Sequence, residues 1–263
     1  MSPGTHSANL RRAMHAPVAI IEPELLMLAY RSGIFPMADA RDDPEVYWVE
    51  PRRRAIMSLD KFRCSHSLAR SLRRGRFTVT CNQAFPAVMD LCAGPRRDEG
   101  GTWISARIEA SYRRLHELGH AHSIECWRGN ELVGGLYGVG FDRVFCGESM
   151  FSLVPDASKV ALAWLVAALA RAGTSLLDCQ FITDHLASLG AVEITQNRYL
   201  KLLKEAQRPA GGDADGFAAG AGDAAAAGAA LALPAGFAAL LADAAASSSS
   251  PGNFIAQSLT QTS

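Results

Sequence analysis

The order of apolar and polar positions predicts a helix, a long loop and a short basic helix within the first 75 residues. Pro23 suits the first turn of a helix, and Gly33 suits its end. Residues 35–51 contain three prolines, which is typical of a loop. Ser65 can cap a basic helix that Gly75 closes, and a short strand is expected to follow it.

From residue 103 onward the periodicity is more regular. Ser105 can cap a helix on which Ile108, Tyr112 and Leu115 share one face. Antiparallel strands followed by alternating strands and helices predict an α+β fold of the acyltransferase type. The expected strands are 121–127, 131–139, 143–147, 175–181 and a segment near Ile194, and the expected helices are 156–172, a short one near His185 and 196–206.

The composition changes after residue 207. Residues 208–263 are rich in Ala and Gly, with few large side chains. Such a segment buries too little apolar surface to offset the entropy lost on ordering, so we expect a mostly disordered tail. A weak apolar face leaves open an Ala-rich helix over residues 229–246.

Charge and cysteine usage narrow the class of protein. Lys plus Arg and Asp plus Glu each number 26 in 263 residues, so the net charge identifies no partner. The six cysteines form no CxxC pair, which argues against a zinc knuckle and favours reduced thiols. Neither a secretory signal nor a membrane-spanning apolar run is visible, so we expect a cytoplasmic protein without a membrane partner.

Positive charge is concentrated between residues 52 and 76. This stretch holds nine Lys or Arg residues against a single acid, Asp60. A solvated face is the default interpretation of such a run, and a phosphate-binding surface is the functional one.

Polar residues interrupt two of the apolar strands. Glu148 lies among apolar neighbours in the segment 145–151, where a carboxylate needs a partner or a function. Asp178 and Gln180 fall on one face of a strand, which sets an acid beside an amide and suits the holding of an amine and a carbonyl. Structural alternatives remain open: Glu148 is a satisfied buried carboxylate, and Asp178 caps a turn or pairs with an arginine.

Other motifs argue against common cofactor sites. Gly134, Gly135 and Gly138 interrupt a strand, which indicates close approach of a backbone or ligand, but they lack the G-x-G-x-x-G order of a dinucleotide site. His116 and His120 have the spacing of a helical metal pair, yet a glycine between them marks the helix end. We therefore expect no metal and no nucleotide cofactor.

Several short motifs follow one another in a fixed order. They are Leu-Ala-Tyr-Arg-Ser-Gly-Ile-Phe-Pro at 28–36, Thr-Trp-Ile at 102–104, Leu-His-Glu-Leu-Gly-His-Ala-His-Ser-Ile-Glu at 115–125, Leu-Val-Gly-Gly-Leu-Tyr-Gly-Val at 132–139, Gly-Glu-Ser-Met-Phe-Ser at 147–152, Ala-Ser-Lys at 157–159, Asp-Cys-Gln at 178–180 and His-Leu-Ala-Ser-Leu-Gly-Ala at 185–191. Each motif is weak alone, but in this order the set resembles the leucyl/phenylalanyl-tRNA–protein transferase family.

The resemblance implies a small amino-terminal domain packed on a GNAT-like acyltransferase domain. The expected organisation is a flexible lead-in at 1–16, the small domain at 17–62, the aminoacyl-transfer domain at 63–207 and a low-complexity tail at 208–263. The implied reaction moves Leu or Phe, and sometimes Met, from Leu-tRNA or Phe-tRNA to proteins that begin with Arg or Lys. That transfer marks the acceptors for N-degron degradation, and no cofactor is implied.

The resemblance also assigns roles to residues at matching positions. Asp178 matches the acid that engages the acceptor's α-amine, and Gln180 matches its companion. The remaining expected site residues are Glu148, Gly147, Met150 and Phe151 for the same pocket, Trp48 and Trp103 for the aminoacyl-adenosine end, and Arg70, Arg73 and Arg74 for the acceptor stem of the tRNA.

Some positions depart from the family pattern. Met37 stands where a Trp is frequent, and Glu50 interrupts the usual Trp-Ser-Pro stretch. His66 and Ala69 replace two members of the basic cluster. These departures concern specificity more than reaction type.

The sequence therefore supports one mechanism and three alternatives. We expect Asp178 to hold the amine and accept or relay its proton, while Glu148 helps to hold the cationic first residue of the acceptor. The alternatives are the same reaction with acidic acceptors, a coenzyme A dependent N-acyltransferase, and a non-catalytic RNA-binding module.

Overall fold

The computed structural model describes residues 19–94, 101–209 and 229–260. The helices in these ranges are α1 Pro23–Arg31, α2 His66–Arg73, α3 Phe85–Ala93, α4 Ala106–Glu117, α5 Ala157–Arg171, α6 Asp184–Ser188, α7 Gln196–Ala206, α8 Leu233–Ala246 and α9 Pro251–Thr260. The strands are β1 Phe35–Met37, β2 Tyr47–Val49, β3 Arg53–Met57, β4 Thr78–Cys81, β5 Ala121–Arg128, β6 Glu131–Phe141, β7 Val144–Ser152, β8 Leu176–Gln180 and β9 Val192–Thr195.

A mixed sheet in the order β4-β5-β6-β7-β8-β3-β9 forms the centre of the described structure. Strands β4 to β7 run antiparallel to one another, and β7 then pairs in parallel with β8 through the α5 crossover. Strand β3 enters between β8 and β9 and is antiparallel to both. The short strands β1 and β2 form a separate two-stranded sheet.

Each face of the sheet is covered by its own apolar core. On one face, α5 packs with α2, α8 and α9, and most of α5 is buried because it is apolar on nearly every side. On the other face, α1, α3, α4 and α7 bury residues against the same strands. The α+β class predicted from sequence is confirmed.

Some element and domain boundaries differ from the sequence predictions. Strand β7 continues to Ser152 rather than ending at 147, because residues 149–152 keep pairing with β6. Residues 53–57, which the sequence placed in the small amino-terminal domain, form strand β3, and this strand belongs to the main sheet. Helix α3 was not predicted.

Residues 229–260 differ from the predicted disordered tail, and the helix left open over 229–246 corresponds to α8. There α8 and α9 bury Leu233, Phe237, Leu240, Ile255 and Leu259 against the α5 side of the sheet. Small Ala and Gly residues let these helices approach closely, so a few large side chains suffice to dock them. The rest of the predicted tail, residues 210–228 and 261–263, lies outside the described residues. None of the helices described above combines the length and apolarity needed to cross a membrane.

Candidate active site

A cavity of about 620 Å³ opens at the edge shared by β7 and β8. The parallel pairing of these strands is limited to residues 144–146 and 176–178. Beyond it, β7 pairs with β6, whereas Gln180 at the end of β8 pairs with Ala55 of β3. The sheet therefore separates at this point. The predicted site residues in the cavity lining are Trp103, Gly147, Glu148, Met150, Phe151 and Gln180.

The Glu148 carboxylate is held by two tyrosines that the sequence did not single out for chemistry. Tyr30 on α1 donates to Oε1 at 2.7 Å, and Tyr112 on α4 donates to Oε2 at 3.1 Å. The two tyrosine hydroxyls also hydrogen-bond to each other. Burial raises the pKa of Glu148 to about 7, although hydrogen bonds from Tyr30, Gln180 and Tyr112 act to lower it. Glu148 is therefore poised to gain or lose its charge near neutral pH.

Gln180 adopts a backbone conformation that residues other than glycine rarely adopt. Its φ angle is +61°, in the left-handed region, and its backbone N–H donates to Oδ1 of Asp178 at 2.8 Å. Its amide Nε2 is buried and has no partner of normal hydrogen-bond geometry among the described residues, yet the amide lies near enough to Glu148 to lower that pKa. The strained turn directs an amide into the cavity beside the acid.

Asp178 is fully buried and is not part of the cavity lining. Arg54 of β3 binds it through Nε, at 2.9 and 3.1 Å, and through Nη2, at 2.5 Å. Tyr199 of α7 donates its hydroxyl to Oδ2 at 2.9 Å. Pairing with an arginine, one alternative from the sequence, is thus what the structure shows. Asp178 would need an accessible carboxylate to hold the amine itself. Since its carboxylate is buried, it can act on the cavity only through Gln180.

Arg54 differs from the other basic residues of 52–76 because its side chain is buried. Its guanidinium is 1% exposed, stacks over the rings of Phe35 and Tyr199, and donates to the carbonyl oxygen of Gly33 at 3.1 Å. Burial acts to lower its pKa, but the adjacent Asp178 carboxylate outweighs burial and raises the pKa above the ordinary value. Arg54 therefore fixes β3 to β8 rather than contributing to the surface charge.

The other basic residues of 52–76 are exposed, as a phosphate-binding surface requires. Arg70 and Arg73 lie on α2, and Arg74 is the C-cap of this helix. Ser65 caps this helix by accepting from the N–H of Leu68 at 3.2 Å, as predicted.

The two predicted tryptophans occupy different places. Trp103 lines the cavity, whereas Trp48 lies on β2, is 41% exposed and does not line it. The two are linked through β1, since Pro36 pairs with Trp48 and the N–H of Ala38 donates to the carbonyl oxygen of Trp103 at 3.2 Å.

The glycines of β6 and the His116 ring have structural partners. A Cβ at Gly134, Gly135 or Gly138 would overlap atoms of α5, β5 or β7, so these glycines permit close packing. His116 stacks on Phe85 with ring centroids 4.2 Å apart. In the described part of the chain, no group of three or more His, Cys, Asp or Glu is arranged to hold a metal.

Comparison with known proteins gives consistent matches. The family described as leucyl/phenylalanyl-tRNA protein transferase matches residues 56–204, and its N-terminal domain matches residues 20–52. A leucyl/phenylalanyl-tRNA–protein transferase of Novosphingobium aromaticivorans is 66% identical over 257 residues, which cover 92% of this chain and 97% of the relative. Relatives with the same name from Zymomonas mobilis and Nitrobacter winogradskyi are 60% and 55% identical; each match covers 71% of this chain, and 70% and 83% of the respective relative.

These matches run through the strands and helices that form the cavity, including the segments that hold Glu148 and Gln180. The chain belongs to the leucyl/phenylalanyl-tRNA protein transferase family and is an aminoacyltransferase.

Proposed function

We propose that this enzyme transfers Leu or Phe, and sometimes Met, from aminoacyl-tRNA to the α-amino group of proteins that begin with Arg or Lys, marking them for N-degron degradation in the cytoplasm. The observation that supports this most is a single acid, Glu148, set in a cavity with apolar walls. Leu136, Met150, Phe151 and Leu165 contribute to those walls. One cavity thus offers an apolar site for the transferred side chain and an anionic site for the acceptor.

The environment of Glu148 favours a cationic acceptor. When ionised, its two oxygens accept from Tyr30 and Tyr112 and still have lone pairs for a guanidinium or ammonium group. An acidic first residue would bring a second carboxylate beside the first, which is unfavourable in a partly buried site. The structure therefore supports Arg and Lys acceptors over the acidic alternative.

The chemistry needs alignment more than activation, because an aminoacyl ester is already reactive. The acceptor's α-amine, with a pKa of about 7.7–8.0, attacks the ester carbonyl carbon in its neutral form. The new C–N bond forms, the C–O bond to the ribose breaks, and the amine's proton passes to the departing ribose oxygen. Fixing amine and ester in register can supply several kcal/mol of the barrier reduction, on the order of 7 or more.

Gln180 is the group we propose to orient the amine or the ester carbonyl. Asp178 then acts as a positioning residue, because it fixes the backbone N–H of Gln180 while Arg54 and Tyr199 hold the carboxylate in place. Replacing Gln180 by Ala should lower kcat and leave tRNA affinity unchanged. A fall in tRNA affinity with kcat retained would contradict this assignment.

On the donor side, Trp103 in the cavity and Trp48 on β2 are the proposed aromatic contacts of the aminoacyl-adenosine end. The exposed residues Arg70, Arg73 and Arg74 are the proposed contacts of the acceptor-stem phosphates. Since these are phosphate contacts, tRNA affinity should fall as salt is raised.

The deciding experiment is transfer of radiolabelled leucine from Leu-tRNA to peptides that begin with Arg, Lys, Asp or Glu, without ATP or coenzyme A. Label on the Arg and Lys peptides alone is the expected result. Label on the acidic peptides would keep the reaction and overturn the acceptor specificity. No label on any peptide, with folded protein and intact Leu-tRNA, would overturn the proposal and favour the coenzyme A or RNA-binding alternatives.

A further inference from the structure

The two family models match residues 20–52 and 56–204, and helices α8 and α9 follow the second of these ranges. Nothing in the reaction requires them directly, since neither contributes to the cavity beside Glu148. Their buried faces belong to the same core as α2 and α5. Their docking site, beside α2 and α5, therefore indicates their role.

Helix α9 packs directly on α2. The contact is so close at Gly252 that a Cβ there would overlap the carbonyl oxygen of Leu72. Around this point α9 buries Ile255 and Leu259, and α2 buries Leu68 and Leu72. The backbone of α2 is thus held by α9 at its carboxyl end, next to Arg73 and Arg74.

Helix α2 is also fixed to the start of α5. Ser71 donates its hydroxyl to Oδ2 of Asp156, the residue that precedes α5, at 2.8 Å. Helix α2 has eight residues, too few to be stable alone in water, so its direction depends on these two neighbours. Ala69, between these contacts, is 2% exposed in this helix.

Helix α8 contacts α9 but packs mainly on α5. Its Phe237 packs on Trp164 of α5 with ring centroids 5.4 Å apart, and its Asp243 pairs with Arg171 at 2.9 Å. At Gly236 a Cβ would lie 2.5 Å from the carbonyl oxygen of Ala168. This close contact resembles the one at Gly252 but involves α5 instead of α2.

We propose that α9 is an accessory support that sets the orientation of α2 and so aligns Arg70, Arg73 and Arg74 with the tRNA phosphates. This inference rests on the proposed tRNA-binding role of those arginines. Gly252 is its positioning residue. A fixed helix presents its arginines in one arrangement, which lowers the ordering cost of binding.

The test compares Gly252→Ala with Gly236→Ala in the full chain. Both add one methyl group at a close helix contact, so both should lower the melting temperature. Only Gly252→Ala should weaken binding of Leu-tRNA, by about threefold or more, with a salt slope shallower by about one, as for one lost phosphate contact. Its kcat at saturating Leu-tRNA should match that of the wild type.

Arg73→Ala separates failure of this inference from failure of the proposed function. If Arg73→Ala weakens tRNA binding but Gly252→Ala and Gly236→Ala both leave it unchanged, the support role is wrong and the arginine role stands. Equal weakening by both glycine variants would show general loosening and would also overturn the inference. If Arg73→Ala combined with Arg74→Ala leaves the affinity and its salt slope unchanged, the tRNA-binding role itself fails. Should Gly252→Ala fail to fold, Ile255→Val with the same readouts replaces it.

Discussion

The charge of Glu148 should control the preference for cationic acceptors, and its pKa of about 7 places that control near neutral pH. The ionised fraction of this group rises from about one-tenth at pH 6 to about nine-tenths at pH 8. If only the ionised form attracts the first residue of an Arg peptide, kcat/KM for that peptide should rise about tenfold over this range from this cause alone. A citrulline peptide has the same shape without the charge.

The measurement is the ratio of kcat/KM for Arg and citrulline peptides at pH 6, 7 and 8. The α-amine titrates equally in both peptides, so the ratio isolates Glu148. Glu148→Gln should make the ratio independent of pH and lower it at pH 8 by about 30-fold, since losing one member of a buried charge pair costs about 2 kcal/mol or more.

Glu117→Gln provides the matched control, because it removes the same charge from an exposed residue on α4 whose carboxylate pairs with Arg114. That variant should retain the wild-type pH profile of the ratio. A wild-type ratio that does not change with pH, or a Glu148→Gln ratio that still rises, would refute the reasoning.

Three further outcomes follow from buried groups. Arg54→Met should lower the free energy of unfolding by about 3–5 kcal/mol in urea titrations at pH 7, because Asp178 would be left buried without its partner; a loss below about 1 kcal/mol would contradict this. Burial lowers the pKa of His122 to about 4, so the unfolded chain takes up a proton near pH 6.5 that the folded chain resists, and stability should fall as pH drops from 6.5 towards 4. The His122→Gln variant should show a smaller fall in the urea midpoint between pH 7 and pH 5. An unchanged fall would exclude His122 as its cause. Gly138→Ala should destabilise the fold by about 1–3 kcal/mol or more, measured by calorimetry, because its Cβ would overlap the carbonyl oxygen of Cys146. If the variant is as stable as the wild type, β6 and β7 can separate at this point.

Elements with a clear local signal were predictable. The apolar face of α4 and the cap at Ser105 located that helix, and the turn at 128–130 located β5 and β6. The extent of β7 was not predictable, since Gly147 and Glu148 read as a strand end. Only the pairing with β6, a non-local fact, shows that the strand goes on.

The partner of Asp178 was hidden for the same reason. Arg54 lies 124 residues earlier in a run that reads as a solvated basic face. Local pattern gives no register between β3 and β8, so pairing with an arginine could be named only as an alternative. Likewise, a mostly disordered tail was predicted because Ala and Gly bury little area each, and the helix left open over 229–246 gave no sign of where it docks. A helix such as α5 that is apolar on nearly every side carries no sign of which neighbours cover it.

The position of β3 between β8 and β9 has a consequence for how the protein is made. The ribosome releases β3 long before either of its neighbours exists, because about 120 residues must still be added, about 10 s of synthesis. Until β8 emerges, Arg54 has no carboxylate to pair with and the sheet cannot close. The nascent chain is therefore expected to stay inactive, and dependent on protection of an unpaired strand, until at least two-thirds of it has been translated.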